Sequence, residues 1–193
     1  MEFSLLEYRR IALMSLWIGL IVTVGMVFAL IPNVELIILS AFLGGVALGP
    51  RRGFIVALVG EAIFSALNPI GSGLGFPILY VFQITSVGFS GLIGGILSRF
   101  LTLQNNYMII TITLGLVGFL LTLIYDALTA LSFPISSGMT EGTIWATLST
   151  GLIFFVLHLV SNTALFGLFG PGLVQLVHRQ LEMHGLMRGQ HAS

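Results

Sequence analysis

The sequence predicts an all-α integral membrane protein, a single domain in which six transmembrane helices form a bundle with both termini on the cytoplasmic side. Three observations carry that expectation. The chain is 56% hydrophobic and 7% charged over 193 residues, with a mean hydropathy of +1.08, whereas soluble domains hold about 25% charged residues. Clusters of Gly, Pro, Asn and Arg cut its apolar runs into six stretches near span length. Threading those stretches back and forth across a bilayer puts all seven arginines on one side, as short cytoplasmic loops require.

Taken in order, the first span covers 11–31, following Arg9-Arg10 and stopping at Pro32-Asn33. The second and third, 34–49 and 53–67, are short and are parted by Gly49-Pro50-Arg51-Arg52-Gly53; a single bent hairpin is the alternative to two spans. The decapeptide NPIGSGLGFP, residues 68–77, comes next. Pro69 and Pro77 halt the flanking helices while Gly71, Gly73 and Gly75 let the backbone turn sharply, which suits a tight connection or a lid over a cavity. The fourth span, 78–99, closes at Arg99 ahead of Gln104-Asn105-Asn106, and the fifth, 107–132, stops before Pro134. The sixth, 142–169, ends at Gly170-Pro171-Gly172, and 173–193 reads as an amphipathic helix and tail on the cytoplasmic surface. With the N-terminus inside, Arg9, Arg10, Arg51, Arg52, Arg99, Arg179 and Arg188 are cytoplasmic, and Glu35 and Glu141 fall in outer loops. The first span is expected to persist as an anchor, since Glu2 and Glu7 precede the arginine pair and no small-residue cleavage site follows.

Composition also excludes chemistry. Lysine is absent, so no Walker A loop can bring its lysine to the β- and γ-phosphates of ATP; any ATP consumed is hydrolysed by another polypeptide. Cysteine is absent too, which removes disulfides and thiolate chemistry, and zero net charge argues against a nucleic-acid partner. The GSGLG run follows a membrane helix and lacks dinucleotide-binding spacing. There is no H-E-x-x-H or G-x-S-x-G motif, and Ser161 lies on a different helix face from His158. An enzyme is therefore not expected, nor a metal or other cofactor.

Ionisable residues inside spans are costly, about 2.5–3.5 kcal/mol for Asp at a helix centre, and so demand an explanation. Glu61, Asp126 and His158 are the three. Glu61 and Asp126 share one depth, roughly 9 Å below the outer ends of their helices at about 1.5 Å per residue. With no lysine and every arginine cytoplasmic, each acid must be neutral, hydrated in a cavity, or paired with hydrogen-bond donors or a ligand. Asn68, Gln83, Tyr125 and Thr129 lie within about two turns of that level, and Thr129 shares the helix face of Asp126. His158 and Asn162, spaced i, i+4, sit near mid-membrane. Interhelical hydrogen bonding alone would account for these groups; a proton-coupled secondary transporter using Glu61 or Asp126, or a membrane assembly subunit without a ligand, are further readings. Small residues recur at intervals of four in Ser15, Gly19 and Thr23, in Ala41, Gly45 and Gly49, in Gly53 and Ala57, and in Gly91 and Gly95. That spacing brings helix backbones close, within the bundle or against a partner.

YDALT at 125–129 and HLVSN at 158–162, with the six spans, the smooth face of the first and the glycine-rich outer loop, carry a resemblance over essentially the whole length. The chain resembles the substrate-binding S-component of energy-coupling factor (ECF) vitamin transporters, nearest to the cobalamin-type group. It departs at Ala130, where the resemblance implies asparagine, and at Met1-Glu2, where nickel and cobalt relatives begin with Met-His. The resemblance implies a prokaryotic plasma-membrane protein that captures a vitamin-like ligand at its outer side and topples to deliver it. A transmembrane coupling subunit and two ATP-binding subunits would drive the cycle. It further implies ligand contacts from Asn68, Phe76, Tyr80, Gln83, Tyr125, Asp126, Thr129 and Glu61, with His158 and Asn162 in support and 68–77 as the lid. The coupling subunit would meet Ser15, Gly19 and Thr23, helped by Ala41 and Gly45.

Overall fold

The computed structural model describes residues 5–31, 35–138 and 140–184. Among them the chain is all-helical: α1 (Leu5–Phe28), α2 (Ile37–Leu48), α3 (Pro50–Leu67), α4 (Pro77–Leu103), α5 (Tyr107–Ser137), α6 (Glu141–Leu168) and α7 (Gly170–Met183), with one 3-10 turn at Gly73–Gly75. Four segments are long and apolar enough to cross a membrane: Glu7–Phe28, Pro77–Leu103, Tyr107–Ser137 and Gly151–Leu168. The 12 residues of α2 reach only about 18 Å at 1.5 Å per residue, against a hydrocarbon core of about 30 Å. α3 is longer, at 18 residues, but carries Arg51, Arg52 and Glu61.

α2 and α3 join without a loop. Gly49 takes φ +83°, a region open to glycine at little cost, and Pro50 stands at the first position of α3, where its missing N–H is not needed. The arginine pair expected in a linker therefore forms the first turn of α3. Every residue of α2 is buried, because a segment reading IILSAFLGGVAL offers no charge to solvate and α1, α3, α4, α5, α6 and α7 all pack on it. Phe42 of α2 meets Phe166 of α6 edge-on with ring centroids 5.5 Å apart, the favoured geometry for aromatic quadrupoles.

Close contacts fix the helix directions. Ile21 and Gly25 of α1 lie against Gly60 and Phe64 of α3, while Trp17 lies against Gly44 of α2; α1 thus runs with α3 and against α2. Ser98 of α4 donates to the Val46 carbonyl at 3.0 Å and Gly94 abuts the Phe42 carbonyl, so α4 runs with α2. α5 and α6 are antiparallel, with Gly118 against Phe166 and Gly115 beside Thr163 and Gly167. α7 docks near the end of α4, where His178 Nε2 lies 3.2 Å from Thr102 Oγ1, and burial pulls His178 below its ordinary pKa. These directions gather Arg9, Arg10, Arg51, Arg52, Arg99 and Arg179 at one end of the bundle.

Several helix ends differ from those predicted. α5 passes the expected stop at 132 and continues through Pro134; Gly138, at φ +60°, ends the helix by bonding its N–H to the Pro134 carbonyl. α4 continues to Leu103 instead of 99, and α7 begins at Gly170 instead of 173. The start of the predicted second span, 34, and the last part of the predicted tail, 185–193 with Arg188, lie outside the described residues.

α2, α3 and α4 cross at glycines. A methyl group on Gly91 would strike the Gly53 carbonyl oxygen and stand 2.8 Å from the Ala57 side chain, and one on Gly45 would strike the Gly91 carbonyl. The small-residue pattern on these helices is thus spent inside the bundle. Ala41 and Gly45, expected at a partner interface, are buried and cannot meet a partner in this arrangement. On α1, by contrast, Ser15, Gly19 and Thr23 are exposed, and nothing lies within 4 Å of a Cβ built on Gly19. Gly91→Ala is expected to cost about 1–3 kcal/mol of stability by overpacking, while Gly19→Ala stays within about 0.5 kcal/mol. Unfolding of the two detergent-solubilised variants measures this, and equal effects would refute the glycine crossing.

Candidate functional site

The end of the bundle away from the arginines holds a cavity of about 290 Å³. Its origin is the shortness of α2: with 12 residues beside α1, α3, α4, α5 and α6, which have 18 to 31, the core helix leaves this end unfilled. Val24, Gly25, Phe28, Ala29 and Ile31 of α1 and its following turn, with Leu36, Ile37 and Phe64, form the apolar wall. Glu35, Asn68, Gln83, Tyr125 and His158 supply the polar groups.

One polar chain runs from the cavity into the bundle. His158 Nδ1 lies 2.7 Å from Asp126 Oδ1, both side chains being buried. Asp126 thereby finds on α6 a hydrogen-bond partner that the arginines are too distant to provide. Bonding at Nδ1 aims Nε2 at the cavity, where Glu35 Oε2 lies 3.4 Å away at an angle that makes no hydrogen bond. A second chain runs alongside. Ser65 Oγ donates to Gln83 Oε1 at 2.8 Å, and Gln83 Nε2 donates to the Tyr125 hydroxyl at 3.3 Å. The Tyr125 ring meets His158 edge-on at a centroid distance of 6.0 Å. Side-chain orientation around the cavity is therefore set by neighbours before any ligand enters.

Glu61, Asp126 and Asn162 are among the buried groups that keep unused capacity. Glu61 is 0% exposed and neither carboxyl oxygen has a hydrogen-bond partner. Asp126 Oδ2 and Asn162 Oδ1 are likewise unpaired, and Asn162 Nδ2 reaches only the His158 carbonyl in its own helix, at 3.4 Å. An unpaired buried polar group costs about 1–3 kcal/mol, so these positions press for a proton, a water or a ligand.

The predicted site residues divide accordingly. Asn68, Gln83, Tyr125 and His158 line the cavity; Asp126 stands directly behind His158. Glu61 and Asn162 are buried outside its wall. Thr129 is occupied by its own helix, donating to the carbonyls of Tyr125 and Asp126. Tyr80 donates to the Ala62 carbonyl at 3.1 Å, and Phe76 is 57% exposed, away from the cavity. The expected lid folds elsewhere. Ser72 donates to the Ala66 carbonyl and Gly73 packs on Ser65 and Tyr80, while Gly71 and Gly75 are exposed, so Asn68 alone of 68–77 reaches the cavity. The wall that takes the lid's place is formed by Ile31 and Glu35–Ile37. Glu35, Phe28 and Phe64 were missed by sequence reasoning, although an acid directly before an apolar helix is a signal that could have nominated Glu35.

Compared with protein-family models, curated proteins and solved structures, the chain matches none.

Because the Asp126–His158 bond is buried, removing either partner strands the other at a cost of about 3–5 kcal/mol. Asp126→Leu and His158→Phe are each expected to destabilise the protein strongly, and the double variant to be less damaged than their sum by about 1–3 kcal/mol. A double-mutant cycle in detergent measures it; additivity would dissolve the pair.

Proposed function

We propose that the protein is the substrate-capture subunit of an ATP-driven micronutrient importer, lying in a prokaryotic plasma membrane with six spans and cytoplasmic termini. One observation carries the reading: a polar cavity lies at the end of the bundle opposite the arginines. Under the positive-inside rule the arginine end faces the cytoplasm, and the cavity therefore opens outward. α2 and α3 then traverse as a hairpin sheltered by their neighbours, where short segments are tolerated.

Two further observations support the assignment. The absence of lysine leaves the chain no Walker A loop, so an ATPase must be a separate subunit. The exposed Ser15, Gly19 and Thr23 face of α1 offers a transmembrane coupling subunit a smooth surface. At about 290 Å³ the cavity sits at the low end of ligand sites, roughly 300–1,000 Å³. It suits a small vitamin or vitamin precursor; a corrinoid such as cobalamin would need the outer connections to open. A stand-alone proton-coupled transporter is favoured by the Glu35, His158, Asp126 series, which resembles the acid and histidine relays of proton pathways.

Reconstitution separates the two. Vesicles holding this chain alone under a pH gradient are expected to accumulate nothing, whereas membranes with the partner subunits import the ligand only with ATP. Uptake driven by the gradient alone would install the proton-coupled reading. Gly19→Phe should block ATP-driven uptake while ligand binding is unchanged, and Asp126→Asn should weaken binding about tenfold, near 1.4 kcal/mol, without altering membrane insertion.

A further inference from the structure

We propose that the ligand of this cavity is a small, flat organic cation whose positive charge is seated on Glu35; the inference rests on the capture reading above. Its basis is the charge the site holds. Glu35 lines the cavity with about a quarter of its side chain exposed, and Asp126 backs His158. If His158 is protonated it offsets one of these two carboxylates and leaves the other. If it is neutral, with Nδ1 committed to Asp126, its Nε2 presents a lone pair to the cavity and the deficit grows. None of the six arginines described lines the cavity. With Glu35 and Asp126 both ionised, the site is thus negative whether or not His158 carries a proton, and low-dielectric walls strengthen that charge.

Hydrogen-bonding capacity points the same way. Gln83 Oε1 is taken by Ser65, and Asn68 Oδ1 by the Ile70 N–H. Glu35 is then the carboxylate on the cavity wall, and His158 Nε2, buried and with no hydrogen-bond partner, lies 3.4 Å from its Oε2. The two carboxylates approach opposite nitrogens of the imidazole, so the ring keeps them from converging on one metal ion. An organic cation needs no such convergence. Phe28, Phe64 and Tyr125 give it aromatic surface, where a cation gains about 0.5–2 kcal/mol from a ring face.

The test uses wild-type protein with E35Q, which removes the charge, and E35D, which keeps it. Native mass spectrometry of the proteins in detergent identifies the molecule each retains through purification. A molecule cationic at pH 7 is expected, kept by E35D and bound at least tenfold more weakly by E35Q. An anionic or uncharged molecule, or undiminished retention by E35Q, overturns the inference and leaves the capture reading standing. If nothing survives purification, thermal unfolding with phenyltrimethylammonium, its uncharged isostere tert-butylbenzene, and benzoate decides. Stabilisation of wild type and E35D by phenyltrimethylammonium alone, lost in E35Q, supports the inference. Stabilisation by either other probe, or an equal shift in E35Q, overturns it. No stabilisation by any probe overturns the inference, and the capture reading is then decided by the reconstitution experiment.

Discussion

A carboxylate buried among apolar helices must be neutralised locally, and in this chain the means are restricted: there is no lysine, and the described arginines collect at the far end of the bundle. The Asp126–His158 hydrogen bond answers that restriction. It joins the two longest helices, α5 and α6, at the same antiparallel register as the Gly118–Phe166 contact. It also fixes the imidazole, so that Nε2 faces the cavity and Glu35. Local charge satisfaction, helix register and the chemistry of the site therefore follow from one pair.

The cavity itself follows from a length mismatch. α2 is wholly buried yet too short to fill the bundle from end to end. Its glycine crossing with α3 and α4 lets those helices close around it at one end, and at the other their continuation beyond α2 encloses space. The glycine crossing of α2, α3 and α4 thus lies toward the arginine end, and the cavity with its polar lining at the other. Among the described residues α1 packs chiefly on α2 and α3, which leaves the face carrying Ser15, Gly19 and Thr23 open.

Sequence reasoning reached the all-helical class, most helix positions and the clustering of arginines because hydropathy and loop charge report directly on the bilayer. It also singled out Tyr125, Gln83 and His158, which line the cavity, and Asp126 behind His158, since polar residues in apolar helices stand out. It did not see that His158 would be Asp126's partner: i, i+4 spacing reports neighbours along one helix, whereas this pair depends on the α5–α6 register. The lid expectation failed for a related reason. Glycines and prolines in 68–77 report backbone freedom, but where the loop lies is decided by Ser72 reaching Ala66 and Gly73 nesting on Ser65. Nor could periodicity tell which small residues face a partner, because Gly45 and Gly19 look alike until a neighbouring backbone fills the space beside one of them.

The separation of the two ends bears on how a bound ligand could move under the capture reading. From Arg51 to Asn68, α3 spans about 26 Å at 1.5 Å per residue, so a partner docking at the arginine end lies most of a bilayer away from the cavity. Opening a path through the bundle would mean sliding α2 against α3 and α4, whose backbones touch at Gly45, Gly53 and Gly91 with no side chains between them to give way. Close-packed contacts of this kind resist gradual deformation. Reorienting the bundle as a body leaves those contacts and the Asp126–His158 pair intact, and concentrates the change at the lipid-facing surface and the open face of α1. Rigid reorientation against a partner therefore demands less of this fold than an internal rocking motion does.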